Sequence, residues 1–342
     1  MATKPSRPTI YDVARLAGVS TATVSRALNG TGRIAPATRA AIDDAVAQLG
    51  YRPNTIARSL VTRSTQTIAV LLPDITNPFY AELVRGVQQL ALERDYTMLL
   101  CMTEGDPAQE EKYLEVLRAK QVDGALVDGL VLPPGRIARF VREGFPIVCL
   151  DRDVDSAAVP LVQVDNRQGA RIATEHLLAL GHRQIAHVSG ATSGIADQRV
   201  AGYRDALAAV GLAPDPRLIA PGDFTEEGGF HAAQELISSS APFTAVFAAN
   251  DLSAIGVLNA LAQAGRPVPE AVSVVGFDDV RLASFTSPPL TTVHQPAAEI
   301  ARLATEILLD LVHGQQVAQL KHLFEPQLVV RESTAARPAR RS

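Results

Sequence analysis

Ten side chains scattered between residues 77 and 295 of this sequence have the types that a polyhydroxyl ring requires. Asn77, Phe79 and Tyr80 come first, Asp151 and Arg152 follow, and Arg199, Phe224, Asn250, Asp278 and Gln295 complete the set. Adjacent hydroxyls need donors and acceptors in forked pairs, which carboxylate, amide and guanidinium groups supply. The C–H face of a ring needs an aromatic wall. Each residue also has a plain structural alternative: Asp278 and Asn250 could cap helices, Arg152 could be a surface charge and Phe79 could be core.

A second set is compact and lies near the start. Between Thr9 and Gly30 the sequence reads as two short helices joined by a tight turn. Thr9 can cap the first, and Val13, Ala14 and Ala17 recur at the spacing of a buried helical face. Gly18 suits a left-handed helix end. Ser20 can cap the second helix, whose buried stripe is Val24 and Leu28. Thr21, Ala22, Ser25 and Arg26 are left on the outer face. Small and hydroxyl-bearing residues at a helix start, with an arginine one turn on, suit a helix laid into a DNA major groove. The structural alternative is an ordinary helical hairpin.

Charge bears on that choice. Residues 1–65 carry nine Lys or Arg against Asp12, Asp43 and Asp44, which makes the segment +6. The whole chain is −4, so the remainder is −10. A basic head on an acidic body is the footprint of phosphate binding confined to one end.

The elements that must position these residues can be read in order. A third helix starts at Pro36, buries Ala40, Ala41, Ala45, Val46 and Leu49, and stops at Gly50. After Tyr51-Arg52-Pro53, Asn54 can cap a short helix from Thr55 to Leu60. It is too short to be stable alone; it either orders on DNA, with Leu60 as an apolar wedge in the minor groove, or is a plain linker turn. From Thr67 short apolar runs alternate with amphipathic helices, which predicts parallel sheets covered on both faces. A first half closes with strand 147–150. A second runs from helix 168–180 through strands 184–189, 245–249, 272–277 and 291–293 to helix 297–312 and an extended stretch 322–330. Two doubly wound halves predict two lobes with a cleft between them, and in such sheets ligands bind beyond the carboxyl ends of the strands. The ten polar and aromatic residues above sit at strand ends or at a helix start. The expected division is therefore an all-α head (1–53), a hinge helix and linker (54–66), an α/β body (67–333) and a loose basic tail (334–342).

Other functions are disfavoured. There is no P-loop, no dinucleotide fingerprint and no Gly-x-Ser-x-Gly elbow, and no nucleophile is paired with a base. No enzyme activity, cofactor or metal is expected. Cys101 and Cys149 lie far apart in apolar runs and read as small hydrophobes. No apolar run reaches membrane-spanning length, and Met1 to Pro8 lacks a signal-peptide core, so a cytoplasmic protein is expected.

The motifs also carry a family likeness. Asp12-Val13-Ala14, Ala17-Gly18-Val19-Ser20 and Thr23-Val24-Ser25-Arg26 resemble the head signature of LacI-type transcriptional regulators, and Tyr51-x-Pro53-Asn54-x-x-Ala57-Arg58-x-Leu60 resembles their hinge helix. Asn77-Pro78-Phe79-Tyr80, Val122-Asp123-Gly124, Gly181-His182, Val275-Gly276-Phe277-Asp278 and Pro289-Leu290-Thr291-Thr292 resemble their body, which has the fold of periplasmic sugar-binding proteins. The resemblance implies a repressor that binds double-stranded operator DNA through Thr9, Tyr11, Ser20, Thr21, Ala22, Thr23, Ser25, Arg26, Asn29 and Arg33, and through Asn54, Ala57, Arg58 and Leu60 of the hinge. It places the ten scattered residues where periplasmic ribose-binding proteins hold their sugar, and 100–106 is similar to the ribose-operon members. Purine-responsive members share the aspartate at 278 but usually carry Asp-Trp where this chain has Asp151-Arg152, which favours a sugar effector. Catabolite-control members, which dock a phosphocarrier protein, are the other alternative. The Ala335-Ala336-Arg337-Pro338 ending cannot form the leucine heptad of tetrameric members, so a homodimer is implied.

Overall fold

A computed structural model describes residues 8–29, 32–51, 64–119, 122–128, 132–151, 159–191, 194–239 and 241–337. The chain divides into two compact units, Met1–Thr65 and Gln66–Ser342.

The first unit holds three helices: α1 (Ile10–Ala17), α2 (Thr21–Asn29) and α3 (Pro36–Leu49). Its start is fixed by Asp12, whose carboxylate accepts from both the Thr9 N–H (3.0 Å) and the Thr9 hydroxyl (2.7 Å). Gly18 closes α1 in the left-handed region at φ 66°, where a Cβ would be strained. Ser20 Oγ accepts from Thr23 N–H at 3.1 Å and opens α2. The interior gathers Val13, Ala14, Val24, Ala27, Ile42 and Ala45, with Ala17, Leu28, Val46 and Leu49 packed around it. The expected face of α3 needs one correction: Ala40 is exposed and Ile42 is the fully buried residue. A run of alanines hides the phase of a helix, because Ala suits either side. The hinge residues Asn54, Ala57, Arg58 and Leu60 lie outside the described residues.

In the second unit a six-stranded parallel sheet has the order β11-β5-β4-β3-β1-β2. Its strands are β1 (Thr67–Leu72), β2 (Thr97–Met102), β3 (Gly124–Asp128), β4 (Ile147–Leu150), β5 (Leu161–Val164) and β11 (Lys321–Phe324). On one face lie α4 (Pro78–Glu93) and α11 (Ala297–Val312). Gly86 lets these two helices approach: a Cβ there would stand 2.8 Å from Ala301 Cβ. On the other face lie α5 (Pro107–Ala119) and α6 (Pro134–Arg142).

A four-stranded parallel sheet, β7-β6-β8-β9, forms the second lobe. It comprises β6 (Ile185–Val188), β7 (Ile219–Ala220), β8 (Ala245–Ala248) and β9 (Ser273–Val275). Helices α7 (Asn166–Ala179) and α8 (Gly194–Ala209) cover one face, and α9 (Glu226–Ser238) and α10 (Asp251–Gln263) the other. Beside it β10 (Thr292–His294) pairs antiparallel with β12 (Gln327–Val329).

The lobes are therefore not consecutive halves of the chain, as the order of apolar runs implied. The chain passes between them at Asp165, again around Gln295–Pro296, and a third time between β11 and β12. Strand β5, four residues long, was not foreseen, and β11 joins the first sheet from the far end of the sequence. Apolar periodicity marks strands but does not name their neighbours. The tail also departs from expectation. Arg337 N–H donates to Leu180 O at 2.8 Å, Ala335 N–H to Ser273 Oγ at 3.1 Å, and Thr334 Oγ1 meets His176 Nε2 at 3.0 Å. Residues 334–337 thus belong to the body, and 338–342 lie outside the described residues. Cys149 is buried as expected, whereas Cys101 is only half-buried. Among the described residues no helix is long and apolar enough to cross a membrane.

Candidate functional site

In the first unit the packing of α1 and α2 leaves a polar face outward. Ala22 and Arg26 are exposed on α2, Thr21, Thr23 and Ser25 are half-buried, and Thr9, Ser20 and Arg33 are exposed beside them. Tyr11 on α1 is 73 % exposed, far beyond what an aromatic ring keeps in a folded interior. The Asn29 side chain lies outside the described residues. Arg39 is spent internally, on Ala27 O and the Asp43 carboxylate, while Arg26 makes one long contact, 3.4 Å, with Ala22 O.

In the second unit one cavity of about 550 Å³ opens between the carboxyl ends of the two parallel sheets. Asn77, Phe79, Tyr80, Asp151, Arg199, Phe224, Asn250, Asp278 and Gln295 all line it. Arg152 lies outside the described residues. The first lobe contributes Asn77, Phe79 and Tyr80 after β1, and Asp151 after β4. The second contributes Arg199 from α8, Phe224 after β7, Asn250 after β8 and Asp278 after β9, and Gln295 comes from the crossover after β10.

Arg199 is the hub. Its Nε donates to Asn166 Oδ1 at 2.9 Å and its Nη1 to Ala249 O at 2.5 Å. Nη1 also lies 3.7 Å from Asp278 Oδ1, and both side chains are almost fully buried. The guanidinium stacks 3.7 Å from the Phe277 ring centroid, with Phe224 at 5.9 Å. Asp278 Oδ1 accepts from Gln295 Nε2 at 2.6 Å. Two acceptors in this wall, Asp151 Oδ1 and Gln295 Oε1, have no hydrogen-bond partner among the described residues. Buried acceptors left open in this way are costly unless a ligand or water fills them.

The carboxylates are correspondingly perturbed. Burial raises the pKa of Asp278 to about 7, opposed by Arg199 and by the Gln295 hydrogen bond and reinforced by Asp151. Burial raises that of Asp151 to about 6, again opposed by Arg199. Behind them Asp251 is pushed well above the usual carboxylate range by burial and by Asp278. Burial lowers Arg199, with Asp278 and Asp151 acting against it. Burial and the charges of Asp128, Asp151 and Asp278 push the Tyr80 hydroxyl upward.

Some of the wall is also scaffold. Asn77 Oδ1 accepts from Phe79 N–H at 3.0 Å and caps α4, and Asn250 Oδ1 accepts from Ser253 N–H at 2.9 Å and caps α10. The capping alternative thus holds for Asn250, alongside its place in the cavity: its Nδ2 donates to Phe224 O at 2.9 Å. Asp278 caps no helix. Asp151, Phe224 and Asp278 have φ of 57°, 69° and 111°. Non-glycine residues held in that region are strained and cluster at functional sites. Gly190 makes room for the Phe224 ring, since a Cβ there would lie 2.0 Å from Phe224 Cζ.

Three partners were not foreseen: Asn166, Phe277 and Gly190. Asn166 follows β5, so the strand-end rule would have found it had that strand been read. Phe277 and Gly190 act through packing, for which the sequence carries no separate mark. Among the described residues no group of three or more His, Cys, Asp or Glu is placed to hold a metal ion.

Comparison with known proteins agrees with both units. Residues 9–54 match the family model of bacterial regulatory proteins of the lacI family, and residues 174–334 that of the periplasmic binding protein-like domain. The ribose operon repressor of Escherichia coli K12 is 39 % identical over 329 residues, covering 95 % of this chain and 99 % of its own. The HTH-type transcriptional repressor PurR of Photobacterium profundum is 37 % identical over 327 residues, covering 95 % and 98 %. Among solved structures, the Lac repressor dimer bound to operator and the anti-inducer ONPF superposes with a TM-score of 0.87 at 29 % identity, covering 97 % of this chain and all of that one. These relatives are repressors rather than enzymes. A helix-turn-helix head, a two-lobed body and whole-length similarity together place the chain in the LacI family of bacterial DNA-binding transcriptional regulators.

Proposed function

We propose that this protein is a homodimeric, cytoplasmic repressor whose grip on operator DNA is set by a small sugar, ribose or a related pentose, bound between the lobes of its body. The observation that carries the reading is the convergence of nine separately chosen residues on one cavity. Asp151, Asp278 and Arg199 bond the hydroxyls, Asn77, Asn250 and Gln295 complete the set, and Phe79, Tyr80 and Phe224 face the ring. Arg152 is assigned to the same group from the sequence. The open acceptors Asp151 Oδ1 and Gln295 Oε1 suit hydroxyl donors, which neutral polyols supply in number. The similarity to a ribose operon repressor supports the choice of sugar.

In the head, α2 enters the major groove with Ser20, Thr21, Ala22, Ser25 and Arg26 toward the bases. Thr9, Tyr11, Thr23, Asn29 and Arg33 contact the flanking backbone and edges, and Asn54, Ala57, Arg58 and Leu60 act at the centre of a two-fold site. The likeness to an operator-bound dimer supports two chains on one pseudo-palindromic operator. Bound sugar changes operator affinity only to the extent that it binds the open and closed body differently.

A second reading, a purine effector, is favoured by the similarity to PurR. Isothermal titration with D-ribose, other pentoses, hexoses, hypoxanthine and guanine separates the two. Pentose binding that alters operator affinity is expected. Purine binding without sugar binding would overturn the sugar assignment, and binding of neither would favour a protein partner.

A further inference from the structure

The charge lining the cavity is lopsided. Asp74, Glu104, Asp151, Asp223, Glu226 and Asp278 line it, against a single guanidinium among the described residues, Arg199. Two of these acids, one on each lobe, are each pinned at the mouth by the threonine two residues on. Asp74, after β1, accepts from Thr76 N–H at 2.8 Å and from the Thr76 hydroxyl at 2.5 Å. Asp223, after β7, accepts from Thr225 N–H at 2.9 Å and from the Thr225 hydroxyl at 2.6 Å. Both carboxylates are exposed and held in place rather than free to swing away.

Helix N-termini attract anions through unsatisfied N–H groups, and three of those at this cavity carry their own side-chain caps. Asn77 closes α4, Thr225 closes α9 through Gly228 N–H at 2.9 Å, and Asn250 closes α10. Arg199 is stacked on Phe277 and shared among Asn166, Ala249 O and Asp278.

We infer that the cavity selects against anions, so that its effector is an uncharged sugar and the phosphate ester of the same sugar is turned away at the mouth. This rests on the sugar reading above and narrows it to a chemical class. The polyol meets buried open acceptors, whereas a phosphate dianion meets pinned carboxylates and, among the described residues, no uncommitted guanidinium. Because Asp74 and Asp223 are exposed, their repulsion acts through solvent and weakens with salt.

The test is calorimetric titration of the full-length protein with D-ribose and with D-ribose 5-phosphate, in low and in moderate salt, for the wild type and for the double variant Asp74→Asn, Asp223→Asn. Asparagine removes the charge and, at Asp223, keeps the single oxygen that accepts both Thr225 bonds; at Asp74, whose two oxygens each accept one Thr76 bond, it keeps one of the two. The wild type should bind ribose at least roughly tenfold more tightly than the ester at low salt, with a smaller gap at higher salt. The double variant should narrow the gap by improving ester binding while ribose binding stays as it was. Ester binding equal to or tighter than ribose overturns the inference but leaves a sugar site standing, and so does a gap unchanged in the variant. Binding of neither compound overturns the sugar reading itself, and this inference with it.

Discussion

The two units keep the side chains proposed for DNA and for effector in opposite conditions. In the head, Tyr11, Ala22, Arg26 and Arg33 stand in solvent, and the interior is a small apolar cluster that none of them enters. In the body, Asp151, Arg199, Asn250, Asp278 and Gln295 are all buried, and several hold the walls together while lining the cavity. A DNA-reading face is built by leaving side chains unengaged until the partner arrives, and phosphate contacts then order them. A cavity for a small neutral molecule must instead be preformed, because a few hydrogen bonds cannot also meet the cost of ordering the wall. Substitutions should therefore separate stability from binding in the head and entangle them in the body.

The largest effect is expected at Arg199. Arg199→Ala removes the cation between two buried carboxylates and strands the Asn166 and Ala249 acceptors. Breaking a buried pair costs roughly 3–5 kcal/mol. Denaturant unfolding of the variant should show that loss in the body, and operator binding should no longer respond to D-ribose although operator is still bound. A variant as stable as the wild type would break the claim that this wall is both site and scaffold.

Arg26→Ala is the counterpart in the head. Among the described residues its one hydrogen bond is the long approach to Ala22 O, so unfolding should change by less than about 0.5 kcal/mol. Operator affinity should fall by roughly 1–3 kcal/mol, the worth of an arginine forked onto guanine, with a smaller loss on scrambled DNA. Equal losses on both DNAs in a filter or anisotropy assay would reduce Arg26 to a phosphate contact.

The same contrast governs how much could be read from the sequence. The head is local: Thr9, Gly18, Ser20, Pro36 and Gly50 mark helix ends within a few residues of one another, so its elements were legible. Its weak point was α3, where Ala40 and Ile42 could not be ranked because alanine fits either face. The nine cavity residues were legible because strand ends are local marks too. Which strands pair was not: β11 adds to the first sheet by pairing with β5 across nearly half the chain, and Asn166 was missed with β5. Asp151, Phe224 and Asp278 carry positive φ that nothing in their side chains announces. Only the assembled lobes enforce it.

The two units answer to acid through carboxylates shifted in opposite directions. Asp278 titrates near 7 when folded, above its ordinary 3.8, and Asp151 near 6, both chiefly through burial. These two carboxylates therefore hold protons that the unfolded chain has released, and their contribution falls as pH rises from about 4 to 7, by at most roughly 1.4 kcal/mol per pH unit for one proton. Burial lowers the pKa of His176, His182 and His187, the last to about 4, so that their contribution rises over the same range. In the head, hydrogen bonds from Thr9 lower the pKa of Asp12, so its contribution is present above 3.8 and lost as pH falls below it. Melting followed by a probe in the body should show the midpoint of Asp278→Asn rising relative to the wild type between pH 5 and 7, because the variant lacks the proton that Asp278 gives up there, with no such change at a probe in the head. A difference that stays constant over that range would assign the linkage to Asp251 or Asp151 instead.

The smallest effect sharpens the comparison most, because it asks whether the head's stability is as local as its sequence marks. Ser20 Oγ accepts from Thr23 N–H and meets Thr23 Oγ1 at 2.9 Å, and Ser20 itself is exposed. Ser20→Ala leaves the first turn of α2 without that acceptor, which costs about 1 kcal/mol. The interior that must absorb the loss consists of Val13, Ala14, Val24, Ala27, Ile42 and Ala45, three of them alanines that bury little area. Hydrogen exchange without DNA should show faster exchange across α1, α2 and α3, in proportion to that loss, with the amides of the body unchanged. Faster exchange confined to the first turn of α2 would mean that the helices open singly rather than as one cooperative unit.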